Sequence, residues 1–528
     1  MHRGRTYLWL AGLLILVSLP ARFASLNASL WTDEAWVANS LLEPSLHDVF
    51  FTKAWTQSSP PLFLLLERWA IAALGSSEAA LRLLPLAAAL AGLVLATMAW
   101  RHWLSPLAAL LSLTLLCSNY YVVKYGQQVK QYGADFFVSA LLLVLVGRYI
   151  ESRARGRLVA LLAAGAAGMF LSYTTVFWLA TLLISAALPR NADASQPPGL
   201  SRFQWRRMAG AGCVLGSVLT LVYLVFIRPN RTAALIHDFQ SSYLDLHHPL
   251  TALQRLISTI GTLLVPLAGP FSAIAGSAAA ALAAYAAVRA IAGSRAGEQR
   301  CLMVALSGAL PLACALGAGA LGLYPVLDFP RMLLFALPST ALLLGESADV
   351  LLITSIHSRA HQTGLRVTVV GTCVVAVVAS QVSFLRYPRP AEENRSAMAF
   401  VKSRLDPGDL LFVHGGMYEQ FKYYRTALGF HPEHIYIGNK QWPCCATGDR
   451  EEATSTSVKD FESDLLEAAR RAKGHGLWLL FPAGSMGHWS ALFREKIQAA
   501  SMVLLGGGCQ RASRRLFGQT LVESYSCR

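Results

Sequence analysis

Charged residues are scarce in this chain. Of its 528 residues only 14% are Asp, Glu, Lys or Arg, while 54% are hydrophobic. An average soluble domain carries roughly 25% charged residues. Mean hydropathy is +0.44, so an ordinary soluble enzyme is excluded. No small-residue cleavage site follows the first apolar run, where Ser25-Leu26-Asn27 leads into Trp31, and the run is read as a span rather than a signal peptide. None of the nine cysteines has metal-ligand spacing such as C-x2-C. Gly506-Gly507-Gly508 follows a strand-like run, but the rest of a phosphate-loop fingerprint is missing, which leaves a plain turn.

The charge that is present is basic, 45 Lys+Arg against 30 Asp+Glu, a net +15. Basic chains can bind nucleic acid. Here the arginines sit in short loops between apolar runs, as orienting a bilayer protein requires, and no nucleic-acid partner is expected.

A spanning helix needs about 20 mostly apolar residues. Apolar runs occupy about 7–26, 78–100, 105–121, 132–149, 158–174, 175–188, 208–227, 271–292, 301–322, 331–346 and 366–386. The expected architecture is therefore a polytopic α-helical membrane protein of about eleven transmembrane helices. The loops assigned inside hold Arg101, Arg148, Arg153, Arg155, Arg157, Arg190, Arg202, Arg206, Arg207, Arg295, Arg300, Arg359 and Arg366. The longer outside segments hold fewer cations, which puts the N-terminus in the cytoplasm and everything after about Tyr387 outside. Two outside segments are long, 27–77 and 228–270, with short surface helices expected over 43–57 and 240–258.

Residues 388–528 are different material. Helix-like stretches (Glu392–Leu405, Tyr418–Leu428, Lys459–Ala472, His488–Ala500) alternate with short apolar runs, Leu410–His414, Ile435–Ile437, Leu477–Phe481 and Met502–Leu505. Such alternation predicts a small extracytoplasmic α/β domain. The expected domains are 1–387, with the first outer loop 27–77, and 388–528. Cys444, Cys445, Cys509 and Cys527 lie in the second. An extracytoplasmic position permits disulfides there, and sequence assigns no pairing.

Two adjacent carboxylates, Asp33 and Glu34, follow the first run within Leu30-Trp31-Thr32-Asp33-Glu34-Ala35-Trp36. A carboxylate at a membrane-edge cavity can take a proton from an acceptor hydroxyl. A solvated pair, or a helix N-cap at Asp33, accounts for the same residues. His247-His248, with His237 nearby, make a poor metal pair because adjacent residues on a helix point apart. Tyr120, Tyr121 and Tyr125 read equally as an interfacial belt or a pocket lining. Lysines 53, 124 and 130 read equally as snorkelling anchors or anion ligands.

Further motifs stand in order behind the acidic pair: Ser59-Pro60-Pro61-Leu62; Gly75-Ser76-Ser77-Glu78 with Arg82; Tyr125-Gly126-Gln127-Gln128-Val129-Lys130-Gln131-Tyr132; and Tyr324-Pro325 ahead of Arg331. On these the sequence resembles the bacterial branch of the GT-C glycosyltransferases. That branch includes protein-mannosyltransferase-like (family 39) enzymes, the aminoarabinose transferase of lipid A and the lipopolysaccharide-core galacturonosyltransferases. The resemblance is strongest over 1–185 and returns at 320–346.

The resemblance implies a bacterial inner-membrane, multi-pass enzyme that moves a sugar, with inversion, from a polyprenyl-phosphate donor to a glycan, lipid or protein acceptor. Asp33 would be the general base. Glu34 would orient acceptor or loop, or help hold a divalent cation where a member uses one; the resemblance implies no other cofactor and leaves that cation open. Lys53, Lys124, Lys130 and Arg331 would face the donor phosphate, with Gln128 and Tyr125 lining the substrate site. Two positions depart from the family pattern. Ser59 stands where relatives have His, and Gln128 stands where they have Glu, leaving Asp135 as the closest second carboxylate. A lipid-linked-sugar transporter or a non-catalytic envelope scaffold is the alternative, but no internal repeat of the transporter kind is seen.

Overall fold

A computed structural model describes residues 2–51, 58–188, 202–230, 239–264, 270–295, 298–354, 359–386, 392–438, 458–482 and 490–527. A helix stands at each of the eleven apolar stretches. Among the described residues, seven helices are long and apolar enough to cross a membrane: Glu78–Trp103, Tyr132–Ser152, Arg202–Ile227, Gly276–Ser294, Gln299–Ala320, Pro330–Leu351 and Gly364–Arg386. Arg5–Val17, Pro106–Ser118 and Tyr173–Ala187 are apolar but shorter. The Arg359–Arg386 helix leaves Val367, Val375, Val378, Val382 and Leu385 exposed. An apolar face of that extent suits lipid rather than water.

Local signals start the helices where the sequence places them. Ser77 caps Glu78–Trp103 by accepting the Ala80 amide at 3.3 Å, and Glu78 in the first turn complements the helix dipole. Gly133 lets the Tyr132–Ser152 helix approach that span: a Cβ there would collide with the Pro85 carbonyl oxygen.

The first loop is more structured than a loop. It holds helices Thr32–Leu41, Leu46–Phe51 and Pro61–Leu74. The expected 43–57 helix is seen as Leu46–Phe51, and residues 52–57 lie outside the described residues. The expected 240–258 helix is a short 3-10 turn, Gln240–Ser242, followed by the longer Pro249–Leu264.

After the last span the chain builds a five-stranded sheet: β1 Leu410–Val413, β2 Ile435–Ile437, β3 Gly476–Pro482, β4 Cys509–Phe517 and β5 Thr520–Cys527. Its order is β2-β1-β3-β5-β4. β2, β1 and β3 are parallel, and β5 and β4 are antiparallel. The first three strands match the expected runs. Met502–Leu505 does not: it continues the Ser490–Gly506 helix, which buries Leu504. A run of four apolar residues fits helix or strand equally, and the preceding helical turns decide it. The β4–β5 hairpin was not foreseen, because β4 is an edge strand whose Arg511, Arg514 and Arg515 are exposed. The triple glycine is the expected turn, with Gly508 at φ +86° between helix and β4. Cys509 and Cys527 form a disulfide across the hairpin. Cys444 and Cys445 lie outside the described residues.

The first loop and the C-terminal unit share one core. Leu30, Val37 and Leu41 pack in the same buried cluster as Met398, Val401 and Phe421.

Candidate active site at the head of the first loop

The two neighbouring carboxylates are used differently. Asp33 and Glu34 lie in the first turn of the Thr32–Leu41 helix, whose N-cap is Trp31, so Asp33 is not the cap. Successive helical residues project about 100° apart. Glu34 turns inward and is buried. Its oxygens take Arg82 Nε at 2.9 Å and Nη2 at 2.6 Å, and Oε1 also accepts the Val129 amide at 2.9 Å. The Arg82 Nη1 group donates to the carbonyls of Ser25, Leu26 and Ala28, and Nη2 to that of Ser29. One buried ion pair therefore ties the first loop, the second span and the Tyr125–Tyr132 turn together. A cation placed on Glu34 would face the Arg82 guanidinium directly, so Glu34 does not fit a metal-ligand role. Among the described residues no group of three or more His, Cys, Asp or Glu is gathered as a metal site.

Asp33 turns the other way, and its Oδ2 lies 3.2 Å from Arg331 Nη1. Both side chains are mostly but not fully enclosed, 17% and 18% exposed. The Arg331 guanidinium sits 5.7 Å from the Trp31 ring and 5.3 Å from the Phe329 ring, contacts that hold a cation without neutralising it. The Tyr125 phenol faces the same group. Arg331 Nε is buried with no hydrogen-bond partner among the described residues.

The segment before Arg331 is held in shape. Asp328 has φ +64°, a left-handed conformation that aspartate tolerates better than most residues. Its carboxylate pairs with Arg255, and its amide donates to Thr259 Oγ1 at 2.9 Å. Tyr324 Oη donates to the Met332 carbonyl at 2.7 Å. The Tyr-Pro turn and the Pro249–Leu264 helix thereby aim Arg331 at the first loop.

Lys130 is buried beside them, its ammonium 6.0 Å from the Trp36 ring. Burial pulls that ammonium below the usual lysine value, with the Asp33 carboxylate pulling the other way. Gln128 is buried too, and its Oε1 has no hydrogen-bond partner among the described residues. Lys124 lies 5.9 Å from the Tyr120 ring and 5.4 Å from the Tyr125 ring. Tyr125 stacks on Tyr121 and meets Tyr132 edge-on at 5.1 Å. Asp135 is buried and accepts the Ser172 hydroxyl at 2.6 Å. Lys53 and His237 lie outside the described residues, and His247 and His248 are exposed.

Asp33, Arg331, Lys130 and Tyr125 are thus brought together from distant parts of the chain. The residue not named as a site residue from sequence was Arg82. Its signal was present in the Gly75-Ser76-Ser77-Glu78 motif that it ends. Trp31 and Trp36, which the sequence did not single out, are ring neighbours of Arg331 and Lys130.

No protein-family model and no curated protein matches the chain. Solved structures do. ArnT from Cupriavidus metallidurans bound to undecaprenyl phosphate superposes with a TM-score of 0.52 at 14% identity, over 97% of each chain. The same protein in the apo state gives 0.53 at 13% identity, again over 97% of each chain. The Archaeoglobus fulgidus oligosaccharyltransferase in complex with Zn and sulfate gives 0.50 at 12% identity, over 93% of this chain and 70% of that one. The likeness is one of fold: this chain has the polytopic membrane fold, GT-C in type, of these proteins.

Proposed function

We propose that the chain is an integral-membrane inverting glycosyltransferase. It takes a sugar from a polyprenyl-phosphate donor and passes it to an envelope acceptor (a glycan, lipid A or core, or protein) on the outer side of the inner membrane. The observation that carries this reading is the Asp33–Arg331 pair, set in the fold of a protein whose structure holds undecaprenyl phosphate.

The chemistry follows from charge. The acceptor O–H must lose a proton while its oxygen bonds to the anomeric carbon from the face opposite the leaving group. Asp33 takes that proton. The anomeric C–O bond to phosphate breaks, and polyprenyl phosphate leaves with the bonding electron pair. Arg331 and Lys130 stabilise the charge that develops on it. Glu34 and Arg82 cancel each other, so Asp33, Arg331 and Lys130 leave one net positive charge, which suits an anionic donor. A guanidinium has five donors, and Arg331 can hold Asp33 and a phosphate oxygen together. Gln128 offers an amide oxygen to a sugar hydroxyl.

In this reading residues 1–387 are the transmembrane enzyme with its catalytic loop 27–77, and 388–528 lie outside the cytoplasm. The Cys509–Cys527 disulfide supports that side, since disulfides persist in oxidising compartments.

The test is mass spectrometry of the polyprenyl-phosphate sugars in host membranes. It compares a deletion strain with the deletion complemented by wild type or by Asp33→Asn. One donor accumulating in the deletion and the Asp33→Asn strain, but not in the wild type, is expected. Three matching pools overturn the reading.

A further inference from the structure

Asp33 is fastened on two sides, and the second side belongs to the C-terminal unit. Just before the helix that carries it, the Leu30 amide donates to Tyr424 Oη at 2.8 Å, and the Leu30 carbonyl accepts Asn394 Nδ2 at 2.8 Å. At the adjoining position, Thr32 Oγ1 accepts Gln420 Nε2 at 2.7 Å and reaches the Glu392 carboxylate at 3.4 Å. Gln420 Nε2 also donates to Glu392 Oε2 at 2.9 Å, closing a triangle of three side chains. Further along the helix, Asn39 Nδ2 donates to the Glu419 carbonyl at 2.8 Å. Leu30, Thr32, Asn39, Glu392, Asn394 and Gln420 are all buried.

Apolar packing alone would attach the unit to the bundle. A buried amide–hydroxyl–carboxyl triangle costs desolvation, the more so here because Gln420 Oε1 has no hydrogen-bond partner among the described residues. What such directional bonds add is a fixed rotation of the helix turn they grip. The gripped turn is the one that carries Asp33. Glu34 and Arg82 hold the same turn from the bundle side. A general base must lie within hydrogen-bond reach of its proton, and a misplacement of about 1 Å can cost on the order of 10²-fold in rate.

We infer that the C-terminal unit is a positioning element of the site, with Gln420 acting through the Thr32 hydroxyl to aim the Asp33 carboxylate. This rests on the reading of Asp33 as the base.

Four variants of the full-length protein test it: Thr32→Val, Thr32→Ser, Gln420→Ala, and Thr32→Val with Gln420→Ala. Thr32→Val keeps the branched shape and removes only the hydroxyl, so it guards against a Gln420 variant that fails to fold. The substrate is the undecaprenyl-phosphate sugar extracted from the deletion strain. Hydrogen exchange over residues 30–39 is measured in parallel, since it needs no transfer activity. Thr32→Val and Gln420→Ala should each lower kcat by about tenfold or more, with the donor KM unchanged. The double variant should be no worse than the worse single one. Thr32→Ser should restore turnover, and exchange over 30–39 should rise in Thr32→Val and Gln420→Ala. Strictly multiplicative losses, or a Thr32→Val enzyme with wild-type kcat and exchange, overturn the inference. If the wild type transfers no sugar while exchange still rises in Gln420→Ala, the clamp stands and the transferase reading falls. If transfer proceeds normally and exchange is unmoved, the clamp falls and the transferase reading stands.

Discussion

Arg331 Nη1 lies 3.2 Å from Asp33 Oδ2, although the two residues belong to opposite halves of the chain. In the proposed function the pair joins the base, Asp33, to the phosphate ligand, Arg331. Its surroundings, Trp31, Phe329 and Tyr125, enclose the cation without supplying a second carboxylate.

Arg331→Lys keeps the charge but loses the fork that spans two anions. Turnover should fall on the order of 10²-fold, comparable with losing one donor to a developing oxyanion. The measurement is kcat with the lipid-linked donor, alongside affinity for undecaprenyl phosphate. Wild-type values for both would remove Arg331 from the site.

Glu34→Gln should behave unlike Asp33→Asn. It leaves the Arg82 guanidinium buried without its carboxylate, and breaking a buried pair in this way costs about 3–5 kcal/mol. The variant should melt well below wild type in detergent, whereas Asp33→Asn should melt close to it. Equal melting of the two would contradict the division of roles between these neighbours.

The Cys509–Cys527 bridge closes a segment with a sequence separation of 18. Loop-closure entropy for such a segment is worth about 3 kcal/mol. Peptide mapping without reductant should find the bridge, and Cys527→Ser should lower the melting temperature. Free thiols at both positions in protein purified without reductant would also argue against an extracytoplasmic location for the unit.

Burial pushes the Glu419 carboxyl up to about 7. A raised folded-state value means the folded chain binds that proton more tightly than the unfolded one. The stability it supplies is full below the ordinary value of 4.5 and is lost as pH rises through about 7. His414 has the opposite sense: burial lowers it from 6.5 to about 3, so its contribution is lost as pH falls below 6.5. In a comparison of Glu419→Gln with wild type the His414 contribution cancels. The variant's melting temperature minus that of wild type should therefore be larger at about pH 8 than at about pH 5. A difference that does not change with pH would contradict the burial of that carboxyl.

Much of the fold was legible in the residues themselves. Apolar runs of spanning length have one low-cost conformation in lipid, the helix, because every backbone polar group must be satisfied within the segment. A helix accordingly stands at each predicted run, and Leu410–Val413, Ile435–Ile437 and Gly476–Pro482 stand where short apolar runs called for strands. Asp33 stood out as one of two carboxylates just after the first apolar run, and Arg331 was picked out by the resemblance of its Tyr324-Pro325 context to the GT-C glycosyltransferases. Sequence could not tell Asp33 from Glu34. Adjacent carboxylates look alike until a helix turns one toward Arg82 and the other toward Arg331. Nor could it show that Leu30, Thr32 and Asn39 are held by Asn394, Gln420 and Glu419. The residues alone determined which segments are apolar and, for the spanning runs and the three parallel strands, what each element would be. Only the tertiary structure decided that Glu34 is neutralised by Arg82, 48 residues away, while Asp33 faces Arg331 from the other half of the chain, because packing alone brings such partners within hydrogen-bond distance.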